Sequence, residues 1–301
     1  MPLYIGRKNS LIKKIEYFEE RQGMYEKLKK DLAEKFDYWQ QDIRDEDAKD
    51  LSYNIMETLS STSKFLLYKY TPANYFDIRN FETQSLHLSP NDSMNDIYEG
   101  IPVAEEEALS DEQIAGMKDL ARFTCFSETY DNILMWSHYA KSHEGFCIEY
   151  DLKLLKEENS DLLQHIFPVL YFDKRLKRKN INSLIESHLE MIKALLNDQE
   201  YDCGEPLDDI LPLFLVKGKA WEYEQEWRMI FTKKQQYDMD NKNLETIPFE
   251  CITGIYLGYR INPEIERNIL EICKRQNRKI AVYKSKLSNS EFKLEFEEVC
   301  Q

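Results

Sequence analysis

Between Arg122 and Asp151 the spacing of apolar and polar positions changes period twice, from two to roughly 3.6 and back to two. Phe123, Cys125 and Ser127 alternate with Thr124 and Phe126, the pattern of an extended segment. Asp131 or Asn132 then offers a short side-chain oxygen to the free amides of a first helical turn. Leu134 or Met135, with Trp136, Tyr139 and Ala140, recurs at helical spacing. Gly145 stands where a helix takes a left-handed exit. Phe146, Ile148 and Tyr150 resume the alternation, with Cys147 and Glu149 on the opposite face. The stretch predicts strand, turn, helix, turn, strand. Ser127, Glu128, Ser137, His138, His143 and Glu149 are expected on or beside this aromatic frame, a layout that suits a binding cleft.

Upstream, Leu11, Ile15, Phe18, Tyr25, Leu28, Leu32, Phe36, Trp39 and Ile43 form a sustained helical stripe filled in with Lys and Glu. Gly23 weakens it and marks a break. A further helix is expected over Asp47–Ser60, and Ser60-Ser61-Thr62-Ser63 reads as a linker. Residues 1–62 are therefore expected to be a helical arm or hairpin, and residues 63–301 an α+β domain. Within the latter, Phe65–Thr71 and Ser85–Leu88 read as strands around a helix over Ala73–Phe81, and Ser89–Gly100 has loop chemistry. Later elements are helices over Leu152–Gln164, Leu184–Asn197, Asp208–Lys219 and Glu264–Gln276, with a turn at Cys203–Pro206. Strands are expected at Val169–Phe172, Trp221–Thr232 and Ile252–Leu257, with a last one at Ile280–Lys284. Strands and helices mix throughout. The fold expected is α+β, a central mixed or antiparallel sheet with flanking helices, plus the N-terminal helical arm.

Composition narrows the function classes. The chain has 301 residues, 42% hydrophobic and 13% aromatic, enough for a sizeable core and against disorder. Its net charge of −15 argues against a broad duplex-DNA surface, which needs Lys and Arg to neutralise phosphates. The six cysteines are scattered without a CxxC pair, as expected of reduced thiols in a cytoplasmic protein. No apolar run approaches the roughly 20 residues of a membrane span.

The densest candidate chemistry is Trp221-Glu222-Tyr223-Glu224-Gln225-Glu226-Trp227-Arg228. Read as a strand, it projects Glu222, Glu224 and Glu226 from one face and packs Trp221, Tyr223 and Trp227 on the other. Arg228 is expected on the aromatic face, stacking or bridging. Three carboxylates on one face raise one another's pKa unless solvent, a cation or a cationic transition state compensates. A solvated edge, a site stabilising an oxocarbenium ion and a divalent-metal site all remain open. Ser137 and His138, adjacent on a helix, diverge by about 100° and form no nucleophile–base pair. His138 and His143 sit five apart, a poor metal geometry. No metal set is therefore assigned. Asn95-Asp96 is placed to fold over a ligand or to cap a turn.

The stretches LYKYT (67–71), SPNDSMNDIYEG (89–100), CFSETYDNILMWSHYAKSHEGFCIEYD (125–151), VLYFD (169–173), WEYEQEWRM (221–229) and GIYLGYRI (254–261) resemble an uncharacterised bacterial family, a domain of unknown function. Met-Trp-Ser-His-Tyr-Ala and Glu-x-Glu-Trp-Arg are its most specific pieces. The chain departs from it at Met94-Asn95-Asp96-Ile97-Tyr98-Glu99, where the family reads Phe-Asn-Asp-Pro-Phe-Glu.

The order of elements is also similar to ADP-ribosyltransferase folds. That resemblance implies NAD as substrate, with Glu226, Glu224 and Tyr70 in catalytic roles. Tyr68, Ser127, Asn95, Trp136 and His138 would hold the dinucleotide. It implies a transferase or NAD glycohydrolase acting on an unknown macromolecular target, as a toxin or phage-defence effector. The alternatives are a metal-dependent nuclease built on Glu222, Glu224, Glu226 and Asp96, or a ligand-sensing module whose N-terminal helices bind a protein partner or self-associate.

Overall fold

The protein, seen in a computed structural model, is described over residues 23–34, 55, 62–91, 94–104, 109–155, 157–178, 190, 206–232 and 244–299. Most of the expected N-terminal stripe, the helix at Asp47–Ser60 apart from Ile55, the helix at Leu184–Asn197 apart from Glu190, and the turn at Cys203–Pro206 apart from Pro206 lie outside the described residues. In chain order the strands are β1 (Leu66–Thr71), β2 (Ser85–His87), β3 (Ser89–Pro90), β4 (Val103–Ala104), β5 (Ala121–Ser127), β6 (Phe146–Asp151), β7 (Ile166–Pro168) and β8 (Leu170–Phe172). Then come β9 (Lys177–Arg178), β10 (Val216–Gly218), β11 (Glu226–Thr232), β12 (Leu244–Thr246), β13 (Ile252–Leu257), β14 (Ala281–Leu287) and β15 (Leu294–Glu298). The α-helices are α1 (residues 23–34), α2 (Tyr75–Glu82), α3 (Asp111–Asp119), α4 (Ile133–Tyr139), α5 (Pro206–Leu215) and α6 (Pro263–Lys274).

One nine-stranded sheet, in the order β15-β14-β13-β6-β1-β5-β11-β7 with β3 added to β5, organises the chain. Its pairs are antiparallel except β13 with β14, which α6 connects as a parallel crossover. The expected mixed sheet with flanking helices is what forms. Alternation along β1 separates two apolar clusters: Phe65 and Leu67 join the larger one, while Leu66, Tyr68 and Tyr70 join a smaller aromatic one with Trp136 and Tyr256. Helix α1 buries Tyr25, Leu28 and Leu32 in the larger cluster. Tyr25 meets Phe65 and Trp227 at ring-centroid distances of 6.0 and 5.1 Å.

The frame at residues 122–151 forms as its pattern predicts, as β5, α4 and β6. Asn132, not Asp131, caps α4, accepting from the Leu134 amide at 2.9 Å. Trp136 is fully buried; its Nε1 donates to the Tyr130 carbonyl at 2.7 Å, and its ring meets Tyr70 edge-on. Gly145 is needed for a different reason from the one expected. The left-handed exit is taken by Lys141, Ser142 and His143, at φ 48°, 54° and 70°. A Cβ on Gly145 would instead stand 1.9 Å from the Thr71 carbonyl oxygen, where β1 and β6 close on each other.

Three other expectations change. Leu152–Leu154 and Glu157–His165 form 3₁₀ turns where an α-helix is expected. The helix expected at Asp208–Lys219 starts at Pro206 and stops at Leu215, so that Val216–Gly218 can pair in parallel with Leu170–Phe172. The last strand is β15, whose charged alternation (Leu294-Glu295-Phe296-Glu297-Glu298) carries too little apolar signal to stand out; it pairs with β14 at the sheet edge.

Candidate active site

The segment at Trp221–Thr232 is not one strand. Lys219–Glu224 coil into a 3₁₀ turn, Gln225 takes a left-handed conformation (φ 44°), and β11 begins only at Glu226. The three acids therefore do not share a strand face: Glu222 is exposed on the turn, whereas Glu224 and Glu226 are buried. Across this break Glu224 and Glu226 still meet at one ammonium, Lys217 Nζ. Arg228 shares the face of Glu226, as a period of two requires, and is not on the aromatic face. Its guanidinium nonetheless lies over a ring, with the Phe123 centroid at 4.8 Å.

Around this joint five charged side chains close up out of water. Arg228 Nε and Nη2 grip both oxygens of Glu226, at 2.7 and 2.9 Å, and Nη1 donates to the Phe214 carbonyl at 2.6 Å. Lys217, on β10, gives Nζ to Glu224 Oε2 at 2.6 Å and to Glu226 Oε2 at 3.1 Å. Glu99 arrives from the loop after β3. It lies 2.6 Å from Arg228 Nη1 and 3.7 Å from Lys217 Nζ. Neither Glu99 oxygen receives a well-aligned hydrogen bond; the contact with Arg228 is an ion pair. Gly100 adopts φ 66° to pass the loop over Phe214, where any Cβ would meet Phe214 at 2.8 Å.

Tyr139, from the end of α4, donates its hydroxyl to the free oxygen of Glu224, Oε1. Asn95 in turn hydrogen-bonds Tyr139. The helix is held over the turn by Asn132 Nδ2, which donates to the Tyr223 carbonyl at 2.8 Å, and by the His138–Tyr223 contact at 2.9 Å.

The two acids differ electrostatically. Burial pushes Glu226 up, but Arg228 and then Lys217 outweigh it and hold the carboxyl well below the usual range. Burial and the charge of Glu226 push Glu224 up, and Lys217, which it must share, offsets this only in part. Of this pair, Glu224 is the one that takes a proton more readily. Burial and the neighbouring Glu224 also raise Tyr139, so its hydroxyl keeps its proton. Lys217 also borders a cavity of about 350 Å³ walled by Asp96, Tyr98, Phe172, Asp173, Lys174 and Arg175, among others. Arg175 lies over the Tyr98 ring, 4.9 Å from its centroid.

The other expected residues fall around this core. Ser127 donates to the Glu224 carbonyl at 2.7 Å and so braces the turn. Tyr68 and Tyr70 pack in the aromatic cluster, and the Tyr70 hydroxyl donates to the Thr129 carbonyl at 2.9 Å. Tyr70 borders a separate, larger cleft with Lys69 and does not face the acids across the smaller cavity. Asp96 is buried, accepts from the Tyr98 amide and lines the cavity, and among the described residues no three acids, histidines or cysteines gather as a metal site. The set Glu222, Glu224, Glu226 and Asp96 is thus not assembled as a group of metal ligands, and the oxygens of Glu226 are already engaged. Sequence reasoning missed Lys217, Glu99 and Tyr139. Lys217 carried a readable signal: a lone cation inside Leu211–Gly218, an otherwise apolar run, has to find an acid when buried.

Residues 135–229 match the family described as Protein of unknown function (DUF2971). The DUF2971 stretch opens on Met135 in α4 and closes on Met229 in β11, so it holds Tyr139, Lys217, Glu224, Glu226 and Arg228. Glu99 and Asn95, which complete the cluster, lie before it. No curated protein and no solved structure matches the chain.

Proposed function

We propose that the protein cleaves the nicotinamide–ribose bond of NAD, as a glycohydrolase or an ADP-ribosyl transferase, with Glu224 as the reacting-side carboxylate. The observation that carries this reading is the unequal state of the two acids. Glu226 is tied to Arg228 through both oxygens, whereas Glu224 is buried, incompletely neutralised and held by a phenol. A carboxylate in that state suits the stabilisation of positive charge on a ribosyl C1′ as the C–N bond breaks and nicotinamide leaves with the electron pair. The acceptor, water or a target hydroxyl, then bonds to C1′ and its proton passes to Glu224. The adjoining cavity is lined by Lys174 and Arg175, cations suited to phosphate oxygens, and by Tyr98 and Phe172 as apolar walls. Its volume falls at the lower end of the roughly 300–1,000 Å³ of small-molecule sites, enough for the nicotinamide-ribose half.

The test is release of nicotinamide from NAD by the purified full chain, followed by chromatography. Glu224→Gln is expected to lower the rate about 10²–10³-fold, the scale of losing one preorganised electrostatic contact. Turnover of NAD by a folded Glu224→Gln variant at the parental rate would overturn the assignment. So would failure of the parent to consume NAD with or without candidate protein acceptors. In a cell, such an enzyme would act as a toxin or phage-defence effector. Expression of the parent, but not of Glu224→Gln, is then expected to slow growth.

A further inference from the structure

A second recess, of about 950 Å³, opens between β1 and α2 and shares no lining residue with the cavity beside Lys217. Lys69 borders it from the middle of β1, flanked by Tyr70 and Thr71, with Asp77, Arg79 and His87 also around it. Lys69 is half-buried. Its Nζ donates to Thr124 Oγ1 at 2.6 Å and approaches the Cys125 carbonyl at 3.4 Å. Among the described residues no carboxylate lies within ion-pair distance of it. The comparison within the molecule is direct: Lys217 meets three glutamates, and Lys29 meets Glu128 at 2.7 Å. A sheltered ammonium without a counter-ion is an unfavourable arrangement that an incoming anion relieves. Burial accordingly pushes the Lys69 amine down from its ordinary value.

The walls add two features. Arg79, on the exposed side of α2, brings a second cation, against a single acid, Asp77. That acid is already engaged, accepting from the Asn74 amide as half of the α2 capping box. Phe76 lines the recess and is 68% exposed; Tyr75 leans on it edge-on at 5.5 Å between centroids. Two adjacent aromatic rings left in water at the mouth of a cationic recess offer a face to a planar group. In a chain of net charge −15, the recess thus sets two cations, Lys69 and Arg79, against one acid.

We propose that this recess binds a phosphate monoester carried on a planar aromatic group, a mononucleotide in class, with the phosphate on Lys69 and Arg79 and the ring against Phe76. The site is independent of the NAD-cleaving reading, since it uses neither Glu224 nor the smaller cavity.

The probe is adenosine monophosphate, titrated calorimetrically into the full chain, with adenosine, ribose 5-phosphate and inorganic phosphate as separate arms. Adenosine monophosphate is expected to bind at least tenfold more tightly than adenosine or inorganic phosphate. Lys69→Met and Arg79→Ala are each expected to weaken it about tenfold or more. Arg79 is on the surface, so its variant keeps the test open if Lys69→Met does not fold. Phe76→Ala is expected to weaken adenosine monophosphate but to leave ribose 5-phosphate unchanged, and Glu224→Gln to change neither. No binding of adenosine monophosphate by the parent would overturn the proposal. So would unchanged affinity in Arg79→Ala, or a loss seen with Arg175→Ala instead, which would place the nucleotide in the cavity beside Lys217. Preference for inorganic phosphate over the nucleotide would also overturn it, reducing the recess to a plain anion site.

Discussion

Arg228 divides one guanidinium among Glu226, Glu99 and the Phe214 carbonyl, while its plane lies over Phe123. A fully buried cation with that many partners cannot lose its acid cheaply. Glu226→Gln is expected to destabilise the fold by about 3–5 kcal/mol, the scale on which breaking a buried pair leaves an uncompensated charge. Urea titration would read it as a lower midpoint at an unchanged slope. The two acids also set opposite dependences on pH. Glu226 is depressed, so its contribution is present above the ordinary carboxylate range and disappears as pH falls through that range and below. Glu224 is raised, so its contribution is present below the ordinary range and disappears as pH rises toward its own raised value. Denaturant midpoints measured from about pH 3 to about pH 8 should thus lose their acid-side fall in Glu226→Gln. In Glu224→Gln it is the decline on the other side that should vanish. Identical pH profiles for both variants and the parent would contradict this charge assignment.

Among the elements, α4 is the piece that joins the aromatic cluster to the ionic one: Trp136 packs one way and Tyr139 reaches the other. Its exit runs through three consecutive left-handed residues and then beneath β1, where Gly145 and Thr71 touch. Gly145→Ala is therefore expected to destabilise strongly or to prevent folding, because a backbone carbonyl, not a movable side chain, occupies the space. Soluble yield and the thermal midpoint would show it. This frame was the most legible part of the chain because every level agreed on it: alternation in β5 and β6, a capping Asn132, a helical apolar period and a glycine at the exit. The acid segment was misread for the opposite reason. Trp221-Glu222-Tyr223-Glu224 alternates as well as any strand, and only tertiary contacts (Ser127 to the Glu224 carbonyl, Asn132 to the Tyr223 carbonyl) coil it into a turn. Glu-x-Glu-x-Arg was visible as chemistry; which of its acids a cation would neutralise was not, since Lys217 and Glu99 come from elsewhere in the chain.

At the scale of the whole molecule, the N-terminal segment belongs to the core as far as it is described. Tyr25 is fully buried between Phe65 and Trp227, and Lys29 pairs with Glu128, which also accepts from Trp227 Nε1 at 2.7 Å. Tyr25→Ala is expected to cost about 3 kcal/mol, as losing a buried aromatic ring does, and calorimetry on the full chain measures it. A change in binding with unaltered stability would instead support a detached arm. The sheet's edge at β15 was hidden from sequence reasoning because its glutamates outnumber its apolar residues.

Gln225 separates two kinds of anchorage. Glu226 inherits the stiffness of a ladder bonded on both sides, to Ser127 of β5 and, through its carbonyl, to the Val169 amide beyond β7, so it cannot shift without opening the sheet. Glu224 sits on a single 3₁₀ coil, and side chains from other elements set its place: Ser127 on its carbonyl, Tyr139 and Lys217 on its carboxylate. One acid is thus seated by the backbone ladder and its neighbour two residues earlier by side chains alone, a difference that begins at the single left-handed residue between them.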